Sequence, residues 1–311
     1  MIIKVQNLVK TYKNGLRALD GLSFQVRDKE IFGLLGPNGS GKTTSINCIL
    51  SLLEFEEGTI EIFGKPMTST SYDIKKNIGL ITQNVAVFNE LTVYENIDYF
   101  CSLYVKDKQE RKKLVEEAID FVSLNDFKNF LPKKLSGGLL RRLHIACGVS
   151  HKPKLIILDE PTVAVDPQSR NKILEGIKKL NEDGATIIYT THYMEEVERL
   201  CDYIMIMDKG QVIAEGTKEH LKSLIEIGEK IEVKLSIPNE IVIKEIKDLE
   251  NVTSVEYKDE VLVIKCLKGK SKIPAVIAIL NKHDLEFENI YSESPNLNDV
   301  FLEITGKELR D

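Results

Sequence analysis

Two hydrophobic periods alternate along this chain. Apolar and polar positions exchange every second residue, the period of a half-buried strand, in residues 2–9 (IIKVQNLV) and 17–27 (RALDGLSFQVR), joined by the turn Lys13-Asn14-Gly15. Asp28-Lys29-Glu30 turns the chain into an unbroken apolar run, Ile31-Phe32-Gly33-Leu34-Leu35, which predicts a fully buried strand. A helix is expected over 42–53, then a hairpin strand in EEGTIEIFGKPM and a strand from Ile78 to Thr82 that ends at Gln83. From about 84 to 150 the spacing becomes helical. Thr92-x-x-Glu95 forms a capping box ahead of NIDYFCSLY, and a charged helix covers about 107–123. Strands then return in LIILD (155–159), ATIIYTT (185–191) and YIMIMD (203–208), separated by helical segments. Alternating strands and helices imply a mostly parallel sheet covered by helices.

The pattern changes near residue 225. A strand at 230–237, a helix at 239–249, strands at 252–258 and 261–267, a helix at 272–282 and a strand at 285–291 give the order βαββαβ. That order is ferredoxin-like. A short amphipathic helix and tail, PNLNDVFLEITGKELRD, close the sequence. The fold expected is therefore α/β with a mostly parallel core sheet, an antiparallel β subdomain and a helical insertion over about 84–150, followed by a small α+β unit. The expected division is 1–225 and 226–311.

Composition narrows this picture only at the edges. A length of 311 residues suits one large domain and a small one, and 42% apolar content supports real cores. The net charge of −6 speaks against a nucleic-acid partner, which usually meets a basic face. Cys48, Cys101, Cys147, Cys201 and Cys266 stand singly among apolar neighbours, as buried reduced thiols do. The start, Met1-Ile2-Ile3-Lys4, runs into a strand, so no signal peptide is expected. The longest apolar run is Ala275–Leu280, far short of a membrane span. Action at a membrane would need another chain to cross it.

Chemistry concentrates after the buried strands. Gly36, Pro37, Asn38, Gly39, Ser40, Gly41, Lys42, Thr43 and Thr44 fit the phosphate-loop pattern, with a strand before and a helix after. Glycines at 39 and 41 permit backbone geometry that a Cβ would block, so successive N–H groups form an anion cup. The helix start adds unpaired donors and the positive end of its dipole. Lys42 is expected on the β- and γ-phosphates and the Thr43 hydroxyl on Mg²⁺. LIILDEPT then carries Asp159 and Glu160 to the end of a buried strand. Asp159 is expected to hold Mg²⁺ and Glu160 to face the attacking water. In LSGGLLRRLHIACG, Ser136 suits an N-cap, with Gly137 and Gly138 in the first helical turn. That makes a second anion site.

Residues 1 to about 225 resemble the ATP-binding cassette (ABC) family, and LSGGL corresponds to its signature motif. The resemblance implies that Ser136, Gly137 and Gly138 contact the γ-phosphate of ATP held by a neighbouring subunit. It assigns Tyr12 to stacking on adenine and Gln83 to sensing Mg²⁺ and touching a membrane subunit. It assigns Asp166 to the loop crossing the dimer interface and His192 to switching on the γ-phosphate. Two positions depart from the family pattern: Leu139 where glutamine is usual, and Ala164 where glycine is usual. Neither removes a catalytic group, and Ala164 is expected to stiffen the interface loop.

LSGGLLRRL, PTVAVDPQSR and the tail resemble the drug- and antibiotic-exporting branch. The implied function is an ATP- and Mg²⁺-dependent ATPase on the cytoplasmic side of the membrane. It would work as a homodimer, or as a heterodimer with a paralogue, on a separate polytopic membrane subunit. The alternative is a soluble cassette ATPase of translation or DNA repair. Each motif occurs once and no coiled-coil insertion is visible, against tandem or coiled-coil members of those groups. A non-hydrolysing nucleotide sensor is disfavoured by Glu160 and His192.

Overall fold

The computed structural model describes residues 1–235 and 240–306 and divides the chain into two compact units, with the break after Lys218. This break falls ahead of the 225/226 boundary read from the sequence.

The first unit opens with β1 (Ile3–Thr11), β2 (Arg17–Val26) and β3 (Ile31–Leu35), then α1 (Lys42–Ile49). It continues through β4 (Glu57–Ile62), β5 (Lys65–Pro66), α2 (Tyr72–Lys75) and β6 (Ile78–Ile81). The helical insertion contains α3 (Val93–Ser102), α4 (Lys108–Phe121) and α5 (Gly137–Val149). Next come β7 (Leu155–Asp159), α6 (Pro167–Glu182), β8 (Thr186–Thr190), α7 (Met194–Leu200), β9 (Tyr203–Asp208) and β10 (Gln211–Gly216). The helix α1 stops short of residue 53 because Ser51 turns left-handed, at φ 49°. β10 was not legible from alternation; it pairs antiparallel with β9 at one edge.

Among the described residues, six strands form the central sheet in the order β10-β9-β3-β8-β7-β6. The pairs from β9 to β6 are all parallel. β3, β7 and β8 are buried at every position, as a sheet covered on both faces requires. A second, antiparallel sheet has the order β2-β1-β4-β5. One core joins the two sheets around α1, with Leu8, Leu19, Phe32, Ile46, Ile49 and Met205 within it. The helical insertion has its own core, centred on Ile97, Val115, Ile119 and Leu143. Its capping box is present: Thr92 accepts from Glu95 N, and Glu95 returns to Thr92 N.

A further helix, α8 (Lys218–Ser223), spans the break between the units. The second unit holds β11 (Ile227–Lys234), α9 (Glu240–Lys247), β12 (Val252–Lys258), β13 (Val261–Leu267), α10 (Ile273–Lys282), β14 (Asn289–Glu293) and α11 (Leu297–Thr305). The sheet order is β12-β13-β11-β14, all neighbours antiparallel. That is the split βαβ arrangement of a ferredoxin-like plait. Ile231, Val233, Leu262 and Ile264 face α9 and α10 residues Val242, Ile246, Val276 and Leu280 in its core. Ser236, Ile237 and residue 239 of the expected strand and helix, and residues 307–311 of the expected tail, lie outside the described residues.

Candidate functional site

Parallel strands deliver their carboxyl ends to one edge of a sheet, and four neighbours here each deliver a motif. β3 leads into the phosphate loop, β8 into His192, β7 into Asp159-Glu160 and β6 into Gln83. Register carries this through: Leu34 pairs with Thr190, Asp159 with Thr190, and Ile81 with Leu158.

A cavity of about 370 Å³ sits over the loop. Of the residues expected there, Tyr12, Asn38, Gly39, Gly41, Lys42, Thr43, Thr44, Gln83 and Glu160 line it. Gly41 has φ 107°, and a Cβ there would sit 2.6 Å from the Ala18 carbonyl. The loop therefore requires glycine at 41. Gly36 and Pro37 stand behind the cup, where their carbonyls accept from Lys42 Nζ at 2.7 and 3.2 Å. Burial pushes the Lys42 ammonium pKa down, opposed by the charges of Glu160 and Asp159. An anion in the cup would offset that burial penalty by direct attraction to the ammonium. Ser40 Oγ is buried with no hydrogen-bond partner, the mark of a group kept for a ligand. α1 has no side-chain cap and no acid in its first turn, so its donors face the loop unspent.

Next to the cup, Thr43 Oγ1 donates to Asp159 Oδ2 at 3.2 Å, while Thr190 Oγ1 donates to Oδ1 at 2.6 Å. A hydroxyl and a buried carboxylate give the hard oxygen donors that suit Mg²⁺. Glu160 is at φ 48°, and its N–H reaches the Thr190 carbonyl and hydroxyl. Strain of this kind clusters at functional sites. Two expected partners converge on its Oε2: Gln83 Nε2 at 3.3 Å and His192 Nδ1 at 3.6 Å. Tyr12 OH meets Thr44 Oγ1 at 3.0 Å, and its ring is partly exposed at the cavity.

The signature residues do not line this cavity. Ser136 caps α5 by accepting from Leu139 N, and both Ser136 and Gly137 are exposed. Gly138 is buried against the start of α6, where a Cβ would lie 2.6 Å from Ser169 Cβ and 2.9 Å from Asp166 Oδ2. Asp166 itself caps α6 through Ser169 N, and that bond holds its carboxyl below the usual range. Asp166 thus packs beside the signature glycines of its own chain. Ala164 is at φ 58°, a left-handed conformation that disfavours a side chain by about 1–2 kcal/mol. The glycine usual at this position has no such strain.

Sequence reasoning missed several groups. Arg17 and Lys209 also line the cavity, giving it cations beyond Lys42. Arg141 on α5 donates to the carbonyls of Thr82 (3.1 Å) and Gln83 (2.8 Å), tying the signature helix to the Gln83 segment. Two arginines inside an otherwise apolar helix were the available signal. No described helix is long and apolar enough to cross a membrane.

What the sheet edge assembles is the apparatus of a P-loop nucleotide hydrolase. Comparison with known proteins narrows the class. Residues 19–163 match the ABC transporter family model. The linearmycin resistance ATP-binding protein of Bacillus subtilis is 38% identical over 313 residues, covering 100% of both chains. The daunorubicin/doxorubicin resistance ATP-binding protein of Streptomyces peucetius is 34% identical, covering 98% of this chain and 92% of that one. The Nod factor export ATP-binding protein I of Burkholderia orbicola is 33% identical, covering 99% and 98%. A dimeric ATP-binding cassette solved in a post-hydrolysis state with ADP and Pi superposes with TM-score 0.64 at 31% identity. It covers 69% of this chain and 98% of its own. This chain belongs to the ABC transporter family, as an ATP-hydrolysing subunit.

Proposed function

We propose that the chain powers an exporter whose membrane-spanning part is a separate polypeptide, with drug- or antibiotic-like cargo. The observation that carries the catalytic reading is the convergence of Gln83 and His192 on Glu160 Oε2, at the mouth of the phosphate-loop cavity. In this reading Glu160 orients the attacking water and takes its proton, and His192 contacts the γ-phosphate. Lys42 and the amides of residues 36–44 stabilise phosphate charge. Thr43, Asp159 and Gln83 would hold Mg²⁺, which when bound would offset the negative charge of the phosphates. Tyr12 stacks on the base. Names of full-length relatives support the cargo class.

The exposed start of α5 suits a composite site. Ser136, Gly137 and Gly138 would close over ATP bound to a second subunit, identical or paralogous, with Asp166 crossing the interface. Glu160→Gln should leave ATP binding intact and slow hydrolysis by roughly 10²–10⁴-fold, the range for a positioned base. With ATP it should dimerise in light scattering, and adding Ser136→Arg should abolish the dimer while monomers still bind ATP. Near-normal turnover of Glu160→Gln would sink the catalytic assignment. A dimer that persists in the double variant would sink the composite site. The subunit would sit at the cytoplasmic face of the membrane, docked through the Gln83 segment and the helical insertion. Residues 1–225 would form the ATPase domain and 226–311 an accessory domain that stabilises or regulates the dimer.

A further inference from the structure

Glu196, on α7, belongs to no motif considered above. Its carboxylate is only 3% exposed, and Oε2 accepts from three hydroxyls. These are Tyr189 OH at 2.6 Å, Thr191 Oγ1 at 2.9 Å and Thr162 Oγ1 at 3.0 Å. Oε1 faces Arg170 Nε of α6 at 3.6 Å. The donors come from the segments that carry the proposed catalytic groups. Thr162 is two residues beyond Glu160. Thr191 precedes His192, and its hydroxyl also accepts from Tyr193 N at 3.0 Å, fixing the turn after His192. The Tyr193 ring packs on the His192 ring with centroids 4.2 Å apart. The Arg170 guanidinium lies 4.3 Å from the Tyr193 ring centroid. His192 thus rests on Tyr193, Tyr193 on Arg170, and Arg170 against Glu196.

Burying a carboxylate is costly, and well-packed apolar side chains in its place often give equal or greater stability. A hydrogen-bonded buried charge does give one thing an apolar patch does not: it fixes the relative positions of several segments. We propose that Glu196 is a positioning residue for hydrolysis, setting His192 and Glu160 relative to each other through Thr191, Thr162 and Arg170. This rests on the catalytic reading of Glu160 and His192 above.

The test is steady-state ATP hydrolysis by the full chain carrying Glu196→Gln, His192→Ala, or both. Gln keeps the shape and removes the charge. Glu196→Gln should lower kcat by about 10–100-fold, the range seen when a hydrogen-bond partner that orients a metal-ligating side chain is removed. KM for ATP and binding of a non-hydrolysable ATP analogue should stay near those of the unmodified chain. In the His192→Ala background, Glu196→Gln should cause a clearly smaller loss than in the unmodified chain, because only the route through Thr162 to Glu160 remains. A full additional loss in that background overturns the proposal, as does a fall in analogue affinity that tracks a fall in melting temperature. Should the Gln variant fail to fold, Thr191→Val removes one hydroxyl at the rim of the network. It should give a smaller loss confined to kcat, and unchanged kcat would overturn the proposal. Full turnover by His192→Ala alone would instead refute the role of His192, and the proposal with it.

Discussion

Helices α1 and α11 begin in opposite ways. At α11, Asn296 accepts from Asp299 N at 3.0 Å and Asp299 returns a carboxylate to Asn296 N at 2.9 Å, so donors and dipole are answered within the chain. At α1 the cap is Gly41, no side chain answers the first N–H groups, and no acid stands in the first turn. α3 follows α11, closed by Thr92 and Glu95. α5 lies between: Ser136 satisfies one donor, two glycines follow, and the first turn again lacks an acid. Where a helix only has to be stable, the sequence supplies its counter-charge. At α1 and α5, the helices proposed to hold phosphate, no acid of the first turn supplies it.

The strongest way to break this contrast is to close α1. Thr44→Glu places an acid in its first turn. Two unit charges 4 Å apart repel by about 4 kcal/mol at the effective dielectric of a protein surface. ATP affinity should therefore fall on the order of 100-fold or more, by titration with a fluorescent ATP analogue, while helix content stays the same. Unchanged affinity would mean that α1 does not point at phosphate.

A smaller effect sharpens the case of α5. Gly138→Ala drives a methyl into Ser169 and Asp166. Overpacking of this kind costs about 1–3 kcal/mol, visible as a lower melting temperature. Adding Ser169→Gly should restore part of it, since the Ser169 contacts are the closest and the main-chain N–H of 169 still caps through Asp166, while glycine in α6 itself costs about 1 kcal/mol. Failure of the rescue would mean that the contact with Ser169 is not what costs the stability. The smallest change is expected at the closed end: Asn296→Ala should destabilise α11 by about 1 kcal/mol, seen as faster amide exchange there, with ATP affinity unaltered.

The open ends were legible because both are spelled out locally. GPNGSGKTT and LSGG each place glycine, hydroxyl and helix start within a few residues. The buried strands were legible for the same reason: LIILD and YIMIMD are continuous apolar runs. What sequence could not give is what neighbouring strand ends do to one another. Glu196 meets Thr162 across 34 positions, and Arg141 meets Thr82 across 59. Nothing near Glu196 in MEEVERL separates it from Glu195 or Glu198, because its burial follows from the packing of α7 beside α6 and β8. The left-handed turn at Ala164 was signalled only by the glycine usual at that position, since an alanine itself gives no sign of positive φ.

All five cysteines are buried and unpaired. Burial pushes the Cys48 thiol up to about 11 and raises those of Cys147 and Cys201 further. A thiolate is the reactive form, so these five buried thiols should react slowly with maleimide and disulfide reagents at neutral pH. A single cysteine placed on the surface, at exposed Lys133 beside the signature helix for instance, would then be the one site such reagents mark. Fluorophore or spin-label pairs at such positions would report the distance between the two subunits of the proposed dimer during turnover without first stripping the native sulfurs from the core.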